Sequence, residues 1–421
     1  MSLRYLLKLN LIVLPTLLIC APTVQAAVDD RARQLNVSTV DLNCVEWQQA
    51  MVNGLSSLCS DNPFSHVVSP AQQSELADLY YYGEQVAQDY HQAAVWYRKA
   101  AVQDFAYAQF SLGFMYSKGE GVVKDSWLGL KWLRKAADNG LAAAQYAVGD
   151  IYYYGEGVVK NFAEAERWYR LAADQNYSLA QYSLGYMYKK GDGVVQDLEL
   201  ARAWLNKAAD QSSPDAQVSL GMMYLNGEGG EIDLPRSFEF FYQAATQGNV
   251  VAQTNLALMY RDGNGIERDY ERALMWYQNA ARQGYAKAQS SLGFMYHKGL
   301  GVAVDMAKAV EWYTLATQQG ELAAQFNLGL MYLTGDGVVK DLGRAAQWLT
   351  MAASQGDPDA QYHVATLYKN GWGVTQDYAQ ALQWYRMAQQ HGNEKAGPEV
   401  VAIEAMYSAK ADIASGLMVR R

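Results

Sequence analysis

The sequence predicts an all-α fold, a right-handed α/α superhelix (solenoid) of nine helix-turn-helix repeats with capping helices at both ends. Three observations predict it: a 36-residue repeat, an apolar face with helical spacing in each repeat, and a Gly-x-Gly break between two helical segments. A single helix pair cannot bury its apolar face alone, whereas stacked pairs share one continuous core. The right hand is the usual one for such stacked pairs.

Several sequence columns recur every 36 residues without an insertion or a deletion. One column is aromatic in every repeat: Trp96, Trp132, Trp168, Trp204, Phe240, Trp276, Trp312, Trp348 and Trp384. Another column is acidic or amide: Asp89, Asp125, Asn161, Asp197, Asp233, Asp269, Asp305, Asp341 and Asp377. A third holds only glycine or alanine, and we expect it to let two helices approach closely.

The stretch from Ala108 to Gly140 illustrates both helices of a repeat. One face of its first helix carries residues at i, i+4, i+7 and i+8, namely Ala108, Leu112, Met115 and Tyr116. Gly119 and Gly121 then break the helix, because glycine readily takes positive φ after a helix. Asp125 is expected to cap the second helix, which ends near Gly140.

The pattern A-x3-LG-x2-Y-x2-G-x-GV-x2-D-x3-A-x2-WY-x2-AA-x2-G-x3-AQ resembles the Sel-1-like repeat, a relative of the tetratricopeptide repeat. It covers roughly three quarters of the chain. The resemblance implies a curved superhelix that binds proteins or peptides on its concave side, which the first helix of each repeat lines. Unit one departs from it mildly, with Gly83-Glu-Gln85 for Gly-x-Gly.

Residues 1–26 are typical of a signal peptide. Arg4 and Lys8 form a basic start, and the apolar run that follows is too short to span a membrane. A small-residue cleavage site lies near Ala26, which predicts an exported protein in the bacterial periplasm or secreted from the cell. Lipidation of Cys20 and eukaryotic secretion are the open alternatives.

The chain is acidic. Removal of the signal segment takes away two basic residues and no acidic one, so the net charge goes from −9 to −11. A surface of this sign argues against nucleic-acid binding and against docking on anionic lipid.

Three further segments follow the signal peptide. Residues 27–72 are predicted to form an N-terminal cap, in which Cys44 and Cys59 form a disulfide, since an even pair of cysteines in an exported protein favours a bridge. Two free thiols are the alternative. Residues 73–396 form the nine repeats, and residues 397–421 a C-terminal capping helix and tail.

No motif with catalytic chemistry stands out. The five histidines show no metal-ligand spacing, no Ser precedes a Lys by three residues, and the glycine loops follow helices rather than strands. We therefore predict no catalytic residue, no cofactor site and no metal site, and a protein that is not an enzyme.

The best candidate for a binding surface is the side of the first helix opposite its constant face. Three variable columns there are unusually aromatic, and aromatic residues are enriched at protein interfaces. We predict a partner-binding face on the concave side; the alternative is that these rings pack against neighbouring helices. The candidate residues are Phe110, Phe114, Tyr146, Tyr153, Tyr182, Tyr186, Lys189, Arg261, Phe294, His297, Phe326 and Tyr362.

The sequence thus favours a non-enzymatic scaffold or adaptor of the bacterial envelope that binds a protein or peptide. The alternative is a regulator of, or a binder to, peptidoglycan and its processing enzymes; a hydrolase ranks below both.

Overall fold

The computed structural model describes residues 69–84 and 86–418, which form nineteen α-helices and no strand. The helices are α1 Pro70–Tyr82, α2 Tyr90–Ala101, α3 Ala106–Lys118, α4 Ser126–Asp138, α5 Ala142–Tyr154, α6 Phe162–Asp174, α7 Ser178–Lys190, α8 Leu198–Asp210, α9 Pro214–Asn226, α10 Leu234–Thr246, α11 Val250–Asp262, α12 Tyr270–Arg282, α13 Ala286–Lys298, α14 Met306–Thr317, α15 Leu322–Thr334, α16 Leu342–Ser354, α17 Pro358–Asn370, α18 Tyr378–Gln390 and α19 Ala396–Met418. The predicted signal peptide and the predicted Cys44–Cys59 disulfide lie outside the described residues.

The chain divides into two compact units, residues 1–139 and 140–421. The first contains α1 to α4 and the second α5 to α19. In each unit an odd-numbered helix packs on the even-numbered helix that follows it, and that helix packs on the first helix of the next repeat. The all-α fold of repeated helix pairs is therefore confirmed.

The two helices of a repeat approach closely at the column of glycine and alanine, and where glycine occupies it there is no room for a side chain. A Cβ atom built on Gly185 would lie 2.6 Å from Leu205 Cγ, and one on Gly221 would lie 2.7 Å from Phe241 Cε1. Such distances are too short for a side chain, so the close approach expected at this column is confirmed.

The recurring aspartate caps the second helix of each repeat, as predicted. Asp125 Oδ1 accepts a hydrogen bond from Leu128 N at 2.9 Å, and the equivalent residue does the same in every repeat. The chain turns at a residue of positive φ two or three positions after each second helix. Where this residue is not glycine it is Asp104, Asn176 or Ser212, with φ of 61° to 64°.

The core lies between the helices of successive repeats. The buried residues include many alanines and, on the first helices, the residues at the positions of Leu112 and Met115. The most deeply buried aromatic column follows the tryptophan column by one residue: Tyr97, Tyr169, Phe241, Tyr277, Tyr313 and Tyr385. At the end of the chain, Ala396, Val400 and Ile403 of α19 are buried against α18.

A buried glutamine recurs on the first helix of each repeat, and Gln109, Gln181, Gln253, Gln289 and Gln361 also bond to the last turn of the preceding helix. Gln253 Nε2 on α11 donates to Ala245 O at the end of α10, 3.1 Å away, and Gln253 Oε1 accepts from Gln283 Nε2 after α12 at 3.0 Å. The second bond recurs in all nine repeats at 2.7–3.0 Å. The pairs are Gln73–Gln103, Gln109–Asn139, Gln145–Gln175, Gln181–Gln211, Gln217–Gln247, Gln253–Gln283, Gln289–Gln319, Gln325–Gln355 and Gln361–His391.

Replacing this glutamine is expected to destabilise the stack. Gln253→Leu removes the bonds to Ala245 O and from Gln283 Nε2, and two buried hydrogen bonds contribute about 1–3 kcal/mol to the free energy of unfolding. Gln283→Ala is the matched control: its side chain is exposed, so solvent can replace its bonds to Gln253 Oε1 and Asn279 O. Urea unfolding followed by circular dichroism measures both. Equal midpoints for the two variants would contradict the role given to Gln253.

Candidate partner-binding face

The most exposed position on the first helix of a repeat is that of Lys118, and we name the four positions grouped around it on the helical wheel the open face. In the second repeat these positions are Tyr107, Ser111, Phe114 and Lys118, of which Ser111 and Phe114 are half-buried. The last of them is exposed in eight of the nine repeats: Lys118, Tyr154, Lys190, Asn226, Asp262, Lys298, Thr334 and Asn370. On a helical wheel the open face is rotated by about 60° from the three predicted columns, and the two share the Phe114 position.

Eleven of the twelve predicted partner-binding side chains are half-buried, and Tyr186, 38% exposed, is the exception. They lie on α3 (Phe110, Phe114), α5 (Tyr146, Tyr153), α7 (Tyr182, Tyr186, Lys189), α11 (Arg261), α13 (Phe294, His297), α15 (Phe326) and α17 (Tyr362). Residues of α5 and α7 come together in the second unit. Phe110 and Phe114 belong to the first unit.

The Phe110 column packs between helices. The ring centroid of Tyr146 lies 5.7 Å from that of Tyr169 and 5.6 Å from that of Tyr177. Tyr362 lies 5.5 Å from Tyr385 in the same way. These rings contribute to the core, so only part of their surface is available to a ligand.

The Ser117 column reaches across to the turn of the next repeat. Tyr81 Oη donates to Glu120 Oε2 at 2.6 Å, and Tyr153 Oη donates to Asp192 Oδ2 at 2.6 Å. Each acceptor lies 39 residues after its donor. Each bond joins successive repeats, so these side chains hold the repeats together, whether or not they also contact a ligand.

Charged members of the same column are also paired. Lys189 Nζ lies 2.8 Å from Glu228 Oε2, again 39 residues on, and Lys369 Nζ lies 2.5 Å from Glu399 Oε2 on α19. Arg261 differs, because its guanidinium binds both oxygens of the adjacent Asp262 at 2.7 and 2.9 Å.

Asp336 lies 39 residues after His297 and acts on it electrostatically, without a hydrogen bond to it among the described residues. Burial, together with the positive charge of Lys298, lowers the pKa of His297, and the carboxylate of Asp336 partly opposes this. These pairs between successive repeats leave a signal in the sequence: an acidic residue stands 39 positions after each of Tyr81, Tyr153, Lys189 and His297.

The sequence analysis missed a carboxyl group at the centre of the open face. Asp150 on α5 occupies the Phe114 position, and its Oδ1 accepts from Tyr169 Oη at 2.6 Å. Burial raises the pKa of Asp150 to about 6, against the opposing effect of hydrogen bonds from Tyr169 and Tyr146. The nearby charge of Glu156 raises it further.

The stability of the fold should depend on pH through Asp150. The unfolded pKa is near 3.8 and the folded pKa about 6, so the folded chain holds the proton more tightly. Stability contributed by the neutral group is present below about pH 4 and lost as pH rises through 6, by on the order of 2–3 kcal/mol. Asp150→Asn cannot ionise, and should be more stable than the wild type at pH 7 with a flatter profile between pH 4 and 6.

Urea unfolding at a series of pH values measures this dependence. Asp262→Asn is the control, because this open-face carboxylate is exposed and paired with Arg261. A wild-type profile unchanged by Asp150→Asn would show that the carboxyl group does not titrate in this range.

Two buried tyrosines offer a matched comparison. Tyr169 Oη donates to Asp150, whereas Tyr313 Oη is buried with no hydrogen-bond partner among residues 69–84 and 86–418. Tyr169→Phe should cost about 1–2 kcal/mol at neutral pH, because Asp150 loses a donor, and Tyr313→Phe should be neutral or slightly stabilising. Urea unfolding of both variants measures the two effects, and a larger loss at Tyr313 would contradict the assignment.

The described part of the chain shows no metal centre and no membrane span. Within it, no group of three or more His, Cys, Asp or Glu side chains is arranged to hold a metal ion. None of its helices combines the length and apolar character needed to cross a bilayer.

The fold and its variable open face define a class of protein, the α-solenoid made of short helix pairs. The Sel1 repeat model matches nine times, at residues 73–104, 106–141, 142–177, 178–213, 214–249, 250–285, 286–321, 322–357 and 358–393. The chain belongs to the Sel1 repeat family. The nine repeats expected from the sequence are thereby confirmed.

Solved structures similar to this chain include two that are 35% identical to it. One is a protective antigen present in uropathogenic Escherichia coli strains, with an SLR fold; it is 35% identical over 80% of each chain, with a TM-score of 0.54. The other is a Sel1 repeat protein from Oxalobacter formigenes, 35% identical over 73% of this chain and 89% of that one, with a TM-score of 0.59. No curated protein matches the chain significantly.

Proposed function

We propose that this protein is a non-enzymatic scaffold of the bacterial envelope, which binds a protein or peptide on the open face of its repeats. The observation that carries the proposal is the contrast between positions. The capping aspartate or asparagine, the buried glutamine and the close-contact glycine or alanine recur from repeat to repeat, whereas the combination of the four open-face residues differs in every repeat. Membership of the Sel1 repeat family, whose helix pairs resemble tetratricopeptide repeats, supports a role in protein binding.

The open face of α5 and α7 is the strongest candidate for the contact. Tyr154 is 61% exposed and Tyr186 38% exposed, and large exposed rings of this kind often contribute most to binding energy at interfaces. Neither ring is needed to fill the core. Truncating them should therefore affect binding more than folding.

An envelope location is proposed from the signal-like residues 1–26, and it directs the choice of bait and extract. The likeness to a protective antigen of uropathogenic Escherichia coli is compatible with a protein that acts outside the cytoplasm. The alternative, a binder to peptidoglycan or a regulator of its enzymes, predicts retention on purified wall material.

A capture experiment with the mature chain tests the proposal. Residues 27–421 serve as bait for a bacterial envelope extract, and captured proteins are identified by mass spectrometry. Tyr154→Ala combined with Tyr186→Ala should abolish capture of a stoichiometric partner, with an unfolding midpoint close to that of the wild type. Retention on purified peptidoglycan without any captured protein would instead support the wall alternative.

The matched control is Tyr242→Ala. Tyr242 is 47% exposed, but it lies on α10, the second helix of its repeat, away from the open face. Capture that survives the double variant and is lost with Tyr242→Ala would place the partner on the second helices and overturn the proposal.

A further inference from the structure

The open face carries an aspartate surrounded by tyrosines in two repeats. The sequence DLYYYG at residues 78–83 recurs as DIYYYG at residues 150–155, and a tyrosine follows each aspartate by 19 positions. The constant positions of the repeat do not explain this arrangement, because the same column holds Phe114, Tyr186, Met222 or Leu258 elsewhere.

In the third repeat, the aspartate is held by phenol groups and has an exposed ring nearby. Tyr169 Oη donates to Asp150 Oδ1 at 2.6 Å, and Tyr146 is a second phenol at the carboxyl group. Tyr154 is 61% exposed, and its pKa is raised by burial and then by the nearby Asp150 and Tyr186, so this ring lies near both residues.

The first repeat has the same arrangement. Tyr97 Oη and Tyr107 Oη both donate to Asp78 Oδ1, the second at 3.3 Å. Tyr82 occupies the position equivalent to Tyr154. Its pKa is likewise raised by burial and then by the nearby aspartate, here Asp78. The other oxygen of the carboxyl, Asp78 Oδ2, accepts no hydrogen bond from the described residues.

Neither carboxyl group has a basic partner among the described side chains. No lysine, arginine or histidine there forms an ion pair with Asp78 or Asp150, and both pKa values are raised because burial is not offset by a positive charge. By contrast, Glu228 forms an ion pair with Lys189. A half-buried carboxyl group without a positive partner can therefore gain an ion pair when a cation binds.

We propose that each tyrosine–aspartate cluster, Asp150 with Tyr154 and Tyr186 and Asp78 with Tyr82 and Tyr107, binds the cationic side chain of a protein partner, an arginine or a lysine. The tyrosine faces attract a cation, and the carboxylate supplies the counter-charge. An anionic group would be repelled, and a neutral apolar group would bury the carboxyl further without compensation.

Arginine fits the cluster better than lysine does. Its planar guanidinium stacks on an aromatic ring while its N–H groups point to a carboxylate. A cation is already tolerated at one of these rings, since Lys190 Nζ lies 5.9 Å from the centroid of Tyr186.

The inference rests on the proposed function, and it can fail separately. If the clusters bind a cation but the double tyrosine variant still captures its partner, the proposed function fails and the sites stand. If capture depends on Tyr154 and Tyr186 but no cation binds, the open face is a docking surface of another kind and the inference fails alone.

The test uses the chain labelled with 13C at the tyrosine rings and followed by NMR. N-acetyl-arginine amide is titrated against N-acetyl-citrulline amide, which has the same shape without the charge. The arginine compound should shift the signals of Tyr154, Tyr186, Tyr82 and Tyr107 in a saturable manner, and bind about tenfold more tightly than the citrulline compound. Equal shifts with both compounds would overturn the inference.

Variants separate the two sites within one molecule. Asp150→Asn should remove the arginine-dependent shifts of Tyr154 and Tyr186 and leave those of Tyr82 and Tyr107 intact, which shows that the variant is folded. Asp78→Asn should do the reverse, and Asp262→Asn, an exposed open-face acid without a tyrosine cluster, should change neither. Arginine binding that persists in both cluster variants would show that the carboxyl groups serve only the tyrosine hydrogen bonds.

Discussion

The stack of helix pairs depends on one side chain, the buried glutamine of each first helix. A carboxamide carries a donor and an acceptor at opposite ends of one rigid group, so Gln253 can satisfy the last turn of the preceding helix and the residue after its own second helix at once. Leucine would fill the space but satisfy neither group, and glutamate has no donor when ionised. The two partners lie 8 residues before and 30 residues after Gln253, so an insertion within either interval would displace one of them.

Features that are identical in every repeat could be predicted from the sequence, because each position then appears nine times in the same environment. The capping role of Asp125 and the close approach at Gly113 follow from elementary backbone chemistry and were both confirmed. The glutamine column was equally constant, yet its role was not foreseen. A glutamine pattern alone does not reveal that two bonds leave the helix in different directions.

The open face was harder to predict, for a reason that lies in the stacking itself. A helical wheel separates constant from variable positions on one helix, but it does not show where the next repeat covers that helix. Tyr153 and Lys189 vary between repeats, which suggested a ligand surface, yet each reaches an acid 39 residues on. Their variation is the exchange of one packing pair for another, Tyr153–Asp192 for Lys189–Glu228.

Variation in a repeat protein therefore has two origins, and the structure separates them. A variable side chain with a partner at a fixed spacing, such as Lys189, is compensated within the stack and says little about a ligand. Asp150 is variable, half-buried and without a counter-charge among the described residues, and Tyr154 beside it is exposed. The stack can carry this cost because the glutamine bonds, caps and alanine contacts are repeated in every unit. Specificity in such a chain is thus to be sought at the side chains that the repeats themselves leave unmatched.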